Sequence, residues 1–250
     1  MKLVCISDTH NKHMQLADTT GYTAKPTERL PVGDILLHAG DFSGIGAKHE
    51  VEEFLEWLIE QAEKYTYGAI FIAGNHDRSF DPKFSPTGEK PDWLQSLLSD
   101  LTTTKVTYLE NQSVVVGSGS DALKIWGSPI TPWFHGDRWA FNKHRGPEIS
   151  KVWEEIPLDT DIVITHGPIS YKLDYIPSSA EYVGCDDLRR KLEAVGPLLH
   201  LCGHIHEGFG WDENIHTTFL NASTCNEYYH PGNKPWEVLV DKPNKRLDIF

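Results

Sequence analysis

The chain has 250 residues, four cysteines and a formal charge of −13, from 23 basic and 36 acidic side chains. That length can bury a substantial core without disulfide staples. The acidic balance argues against a general nucleic-acid binder, because a long polyanion is repelled unless a local positive centre intervenes.

The opening "MKLVCISDTH" holds one short apolar run, Leu3 to Ile6, before a Ser-Asp pair. It is too short for a signal-peptide core, and no later segment reads as a membrane span. With Cys5, Cys185, Cys202 and Cys225 scattered and unpaired in spacing, this predicts reduced thiols, no membrane association and a cytoplasmic protein. No linker-like or low-complexity stretch interrupts the chain, so one domain over 1–250 is expected.

Further short apolar runs follow, each ending in a polar or glycine-bearing segment. "DILLHAG" (34–40) runs into Asp41, "GAIFIAG" (68–74) into "NHD", "DIVITHG" (161–167) ends at His166, and "LLHLCG" (198–203) runs into "HIH". These predict buried strands. Between the second and third, Val51, Phe54, Leu55, Leu58, Ile59 and Ala62 recur at helical spacing. "PDWLQSLLSDL" (91–101) and "CDDLRRKLEAVG" (185–196) predict two more helices, the last with early Asp residues and a terminal glycine. The middle ("VTYLEN", "QSVVVGS", "LKIWGSP") and the end ("TTFLNAS", "WEVLVDKPNKRLDIF") read as strands joined by turns. Two partly antiparallel sheets between helices accommodate both halves, an α/β fold.

Polar residues collect at those strand ends: Asp8 and His10, Asp41, Asn75, His76 and Asp77, His166, and His204 with His206. Ligands of open α/β sheets bind at the carboxyl ends of strands, so five segments can converge on one crevice. His204 and His206 are two apart in a non-helical stretch and project to one face if it is extended. Each motif alone has an ordinary explanation as a turn or cap; five directly after apolar runs do not.

The pattern Asp-x-His … Gly-Asp … Gly-Asn-His-Asp … His … Gly-His-x-His resembles the calcineurin-like metallophosphoesterase superfamily. "IWGSPITPWF", "THGPI", "VGCDDL" and "GHIHEGFG…FLNASTCN" look like its metallophosphoesterase-domain-containing, cyclic-nucleotide-phosphodiesterase-like branch. The resemblance covers nearly the whole chain apart from the segment around 14–32 and the last dozen residues. It implies a four-layer αββα sandwich of two mixed sheets flanked by helices, holding two divalent metal ions. One metal would take Asp8, His10 and His206, the other Asn75, His166 and His204, with Asp41 bridging. Relatives often have a second proline where this chain has Ile169, a departure that bears on loop shape and not on the metal ligands.

Oxygen and imidazole ligands without thiolates suit Mn²⁺, the first choice, and also Fe, Zn²⁺ or Mg²⁺. Two such ions roughly 3.5–4 Å apart can share a hydroxide that attacks phosphorus in line. His76, next to a ligand but not one itself, is expected to protonate the leaving group, with Asp77 either orienting it or capping a turn. The expected activity is hydrolysis of small phosphodiesters, nucleotides included. Alternatives are a phosphomonoesterase or protein phosphatase, a nuclease, and a non-catalytic metal-binding scaffold. The partner expected is a small phosphate ester, with no long nucleic acid; no feature of the sequence speaks to oligomeric state. His38 and His200 are expected to be packed strand residues, and His13, His135, His144, His216 and His230 to be exposed. The Trp residues of "IWGSPITPWF" could be core or stack on a base, and Arg145 could pair at the surface or contact phosphate. The glycosylation-like tripeptides at Asn111 and Asn221 are expected to be incidental.

Overall fold

The computed structural model describes residues 1–16 and 30–250, so most of the 14–32 segment lies outside the described residues. The first half holds β1 (Lys2–Ile6), β2 (Ile35–His38), α1 (Lys48–Ala62), β3 (Ala69–Phe71), α2 (Asp92–Asp100) and β4 (Val106–Tyr108). Then come β5 (Gln112–Val116), β6 (Leu123–Ser128), the short pair β7 and β8 (Thr131–Pro132, Asn142–Lys143), α3 (Pro147–Glu154) and β9 (Ile162–Thr165). The remainder holds β10 and β11 (Tyr175–Ile176, Glu181–Tyr182), α4 (Asp186–Val195), β12 (Leu199–Cys202), β13 (Gly210–Glu213), β14 (Thr218–Asn221), β15 (Trp236–Asp241) and β16 (Arg246–Ile249).

Two mixed six-stranded sheets result, ordered β16-β15-β1-β2-β3-β4 and β13-β14-β12-β9-β6-β5. In the first, β1 to β4 run parallel and β15–β16 extend the edge antiparallel. In the second, β6, β9, β12 and β14 run parallel between antiparallel edges β5 and β13.

Side chains alternate across each strand, and this divides the core into layers. Leu3, Cys5, Ile35, Leu37 and Ile70 pack between the sheets against Ile125, Ile162, Ile164, Leu199 and Leu201. Their neighbours Val4, Ile6, Leu36 and Phe71 turn outward to Val51, Phe54 and Leu58 of α1, while Trp126 and Val163 turn to α3 and α4. Trp126 meets Trp153 of α3 at 6.2 Å. The layers are therefore helix, sheet, sheet, helix, as the sequence implies. Because both faces of the central strands are covered, their sequences are continuous apolar runs.

The helix ends follow their local chemistry. Glu50 accepts from the amides of Ile45 and Ala47 at the start of α1, at 3.1 and 2.9 Å. α4 begins on Cys185, whose sulfur accepts from Leu188 N, and ends on Gly196 with φ of 62°, the left-handed turn that favours glycine. Helix α3 is not anticipated, because eight residues give only about two turns of periodicity. Among the described residues no helix is long and apolar enough to cross a membrane.

The carboxyl ends of β1, β2, β9 and β12 converge. Asp8 N donates to Gly40 O at 2.9 Å, Gly203 N to His166 O at 2.9 Å, and a bridge between Ser7 and Ser223 joins the two sheets there.

Candidate metal centre

The loops leaving those strands turn abruptly. Asp8, His10, Asp41 and His204 all have positive φ, at 51°, 41°, 54° and 68°. Left-handed conformations are costly for such residues and persist where surroundings over-determine them. His10 N donates to Asp41 O at 3.0 Å, and His204 N to both Asp8 oxygens at 3.1 and 3.0 Å. Two glycines make room. A Cβ on Gly203 would lie 2.0 Å from Asp8 Oδ2, and one on Gly74 would lie 2.2 Å from Asp41 Oδ1.

Side chains then gather in three overlapping groups: Asp8, His10 and His206; His10, Asp41 and His76; and Asp41, His166 and His204. Within each group the candidate ligand atoms all lie within 4.8 Å of one another. Asn75 joins the third through Oδ1, 3.0 Å from His166 Nε2. Each carboxylate is anchored from the protein and also faces a histidine of the cluster. Asp8 Oδ2 accepts from Ser223 Oγ at 3.0 Å, while Oδ1 faces His206 Nε2 at 3.3 Å. Asp41 Oδ1 accepts from His76 N at 2.8 Å, while Oδ2 lies 3.2 Å from His166 Nε2 and 3.9 Å from His10 Nε2. Asp41 thus stands between the two histidine sets.

These residues fit a divalent metal, on the following grounds. Nδ1 of His10, His206 and His166 sits on the backbone carbonyls of Ser43, Asn226 and Ala39, at 3.3, 2.8 and 2.9 Å. A carbonyl only accepts, so Nδ1 carries the proton and a neutral ring directs its Nε2 lone pair inward. His10 Nε2 and His206 Nε2 then face each other at 3.3 Å, with carboxylate oxygens beside them. With neutral rings this cluster offers only acceptors, so a cation, either a proton or a metal ion, is needed between them.

Electrostatics express the same demand. Burial would raise Asp8, but the hydrogen bond and charge of His206 hold it well below the usual carboxylate range. Asp41 is likewise held low against burial, chiefly by His166. Burial lowers His166, yet the Asp41 charge outweighs it and lifts the ring to about 9. Burial depresses His10 to about 4 and His204 to about 3, which keeps both neutral and available as ligands.

His76 lies at the edge of this cluster. Its Nδ1 is 2.6 Å from Gly44 O, and its ring is edge-on to His10 at 4.6 Å. Asp77, expected either to orient this imidazole or to cap a turn, serves the backbone of two turns, its own, where its N donates to Gly74 O at 3.2 Å, and the one after Asp41. Asp77 is fully buried and accepts from Asp41 N, Gly74 N, Ser43 N and Ser43 Oγ, two donors on each oxygen. Burial and the Asp41 charge push its pKa up, to about 8, but all lone pairs are engaged, which favours the ionised form. Asp77 ties the Asp41 loop to the Asn75 loop.

The remaining expectations divide. His38 and His200 are buried and bonded to Thr9 and Thr165, at 3.1 and 2.8 Å. His135, His144, His216 and His230 are exposed, but His13 is buried beside Trp57 at 5.1 Å. Trp126 is core and Trp133 stacks on His144. The Arg145 guanidinium donates to Val183 O and Gly184 O, each at 2.7 Å, and among the described residues it forms no ion pair. Asn221 is fully buried, with Nδ2 donating to Ile205 O at 2.8 Å, which rules it out as a surface acceptor. Three site residues escape the sequence reading: Phe134, Trp139 and Tyr229. Trp139 lies 4.5 Å from His76, Phe134 4.9 Å from His204, and Tyr229 4.8 Å from His10. All come from irregular loops, where no periodicity marks them.

Comparison with known proteins bears on the same residues. Residues 1–208 match the family described as calcineurin-like phosphoesterase. The chain is 37% identical over 259 residues to metallophosphoesterase domain-containing protein 1 of Homo sapiens, covering 98% of this chain and 72% of that one. It is 35% identical over 245 residues to a UPF0046 protein of Caenorhabditis elegans, covering 97% and 76% respectively. The solved structure of phosphopantetheinyl hydrolase from Mycobacterium tuberculosis superposes with a TM-score of 0.53 at 14% identity, over 89% of this chain and 88% of that one. The last likeness is one of fold.

Proposed function

The chain belongs to the calcineurin-like phosphoesterase family, and from that premise we propose that it hydrolyses small phosphodiesters, nucleotides among them, at a pair of divalent ions. Asp8, His10 and His206 would hold one ion and Asn75, His166 and His204 the other, with Asp41 shared. Mn²⁺ is the first choice for this oxygen and imidazole set. Bound there, the ions would activate a water for in-line attack and neutralise charge growing on the phosphoryl oxygens.

The chain's own residues supply the rest. Backbone carbonyls hold Nδ1 of three ligand histidines, so the neutral rings would present Nε2 to an ion; His166, lifted against burial to about 9 by Asp41, would give up its Nε2 proton on binding. Asp77 keeps the Asp41 and Asn75 loops in register through its four hydrogen bonds. His76, with Nδ1 held by Gly44 O and grouped with His10 and Asp41, delivers the Nε2 proton of its imidazolium form to the departing ester oxygen and is left neutral. None of the converging groups is an arginine, so the second charge of a monoester would find only the ions; a singly charged diester suits the site better. Four free, buried cysteines suit a reducing compartment, and the cytoplasm is the location we favour.

The observation that carries this reading is the convergence of His10 Nε2, His206 Nε2 and Asp8 Oδ1, which offer only acceptors when the rings are neutral. The test is hydrolysis of bis-p-nitrophenyl phosphate by EDTA-stripped protein titrated with Mn²⁺. A metal-dependent rise in turnover is expected. Stoichiometric metal binding without turnover, on this ester and on a panel of cyclic and linear nucleotides, would replace the enzyme with a metal-binding scaffold.

A further inference from the structure

The turn 226–230 holds a ring over the candidate centre. Asn226 organises it: its carbonyl accepts from Tyr229 N and from His206 Nδ1, both at 2.8 Å. Its side-chain oxygen accepts from the amides of Tyr228 and His230, each at 3.0 Å. The same residue therefore orients a candidate ligand and presents Tyr229. Tyr229 has φ of 59°, a conformation that bulky residues avoid, and is 43% exposed, so burial does not explain its position. Its ring lies 4.8 Å from His10, 5.1 Å from His206 and 6.2 Å from His76.

Two further rings border the cluster. Trp139 lies against His76 at 4.5 Å, and Phe134 is stacked with Trp139 at 6.1 Å and 16°. Phe134 also meets His204 edge-on at 4.9 Å. A polar floor is thus flanked by rings, Tyr229 beside His10 and His206, Phe134 and Trp139 beside His204 and His76. A phosphoryl group belongs on the floor, and whatever is esterified to it meets the rings.

We propose that Tyr229 and the Phe134–Trp139 pair are binding walls for a planar aromatic group carried by the phosphate ester. This rests on the phosphoesterase reading of the floor and adds a substrate class to it. Rings gain from stacked and edge-on contacts in a way that sugars and aliphatic chains do not match. A nucleobase and a simple aryl group share that chemistry.

Calorimetric titration of the Mn²⁺-loaded protein with phenylphosphonate and methylphosphonate tests it, since neither is hydrolysed. The wild-type protein should bind the phenyl compound roughly five- to tenfold more tightly. Tyr229→Ala should reduce that ratio to about twofold with methylphosphonate affinity unchanged, and Tyr229→Phe should keep it. Equal binding of the two by wild type, or an undiminished ratio in Tyr229→Ala, overturns the walls alone. Failure of both to bind a metal-loaded protein overturns the walls together with the phosphoesterase floor. If the walls hold, adenosine 5′-monophosphate in place of phenylphosphonate separates nucleobase from simple aryl recognition.

Discussion

The Nε2 atoms of His10 and His206 lie 3.3 Å apart, while the opposite nitrogen of each ring sits on a backbone carbonyl. In the neutral rings two lone pairs at that distance repel, and both rings are almost fully buried, so water does little to relieve them. The residues come from loops far apart in the chain, one after β1 and one after β12, and the hydrogen bonds from His204 N to the Asp8 carboxylate tie those loops together. A fold that fixes this contact gains stability from whatever cation enters it.

The first expected outcome concerns stability. A metal that binds only the folded state stabilises it by about 2.7 kcal/mol at a hundredfold excess over Kd. For a chain of this size that corresponds to a rise in Tm of roughly 5–10 °C. Differential scanning calorimetry of EDTA-stripped protein with and without Mn²⁺ reads it directly. Identical melting curves would remove the argument from the His10–His206 contact.

Glycine substitutions separate the site from the scaffold. Gly203→Ala puts a Cβ 2.0 Å from Asp8 Oδ2 and 2.1 Å from Ser7 Oγ, whereas a Cβ on Gly88 meets nothing within 4 Å. Gly203→Ala should therefore displace Asp8 and lower metal affinity at least about tenfold, on the scale of perturbed ligand shells. Gly88→Ala, strained only by its φ of 72°, should cost about 1 kcal/mol and leave metal content unchanged. Metal analysis after dialysis distinguishes them.

Asp77 should behave as a structural lock. Asp77→Asn replaces one acceptor oxygen by an amide group that cannot accept, leaving at least one buried N–H unpaired. At about 1–3 kcal/mol for an orphaned donor, a loss of that size is expected. Urea unfolding of the metal-free variant measures it. A variant as stable as wild type but slow in turnover would instead return Asp77 to a role beside His76.

How far the sequence discloses this protein depends on where each constraint lies. Residues 3–6, 35–38 and 162–165 are legible as strands because parallel strands covered on both faces must be apolar throughout. "GNHD" and "GHIH" are legible because few residue types bind metals, and both follow such runs directly. The partners of Asp77 are not, because they are chiefly backbone amides of residues 41, 43 and 74, which no side-chain pattern records. His13 is misplaced for another reason: Phe54 and Trp57 of α1 bury it, a tertiary contact across a loop. Tyr229 and Trp139 reach the site from irregular turns, and there the chain has no period to reveal a face.

The core histidines set an acid limit. Burial depresses His38 and His200 from the ordinary 6.5 to about 3. Between those values the unfolded chain binds the proton and the folded chain does not, so stability is full above about pH 6.5 and is lost as pH falls toward 3. Each group contributes a slope of up to about 1.4 kcal/mol per pH unit. Urea midpoints of metal-free protein from pH 7 to pH 4 should fall, and His200→Gln, which keeps a polar partner for Thr165, should fall less steeply. An unchanged slope in that variant would mean His200 is protonated in the folded state.

His76 offers the sharpest division between binding and chemistry. Its Nδ1 is engaged by Gly44 O at 2.6 Å, so the ring is held by the Asp41 loop whether or not a substrate is present. An acid at that position matters in proportion to the basicity of the departing oxygen. His76→Ala should retain its metal and lower kcat by roughly 10²- to 10³-fold for an alkyl ester, with a much smaller loss for p-nitrophenyl esters, whose leaving group needs little protonation. KM should change little, because the proton moves only in the transition state. Equal losses on both esters would point to positioning, not proton transfer. Loss of metal would make His76 a ligand, the role that its grouping with His10 and Asp41 also permits.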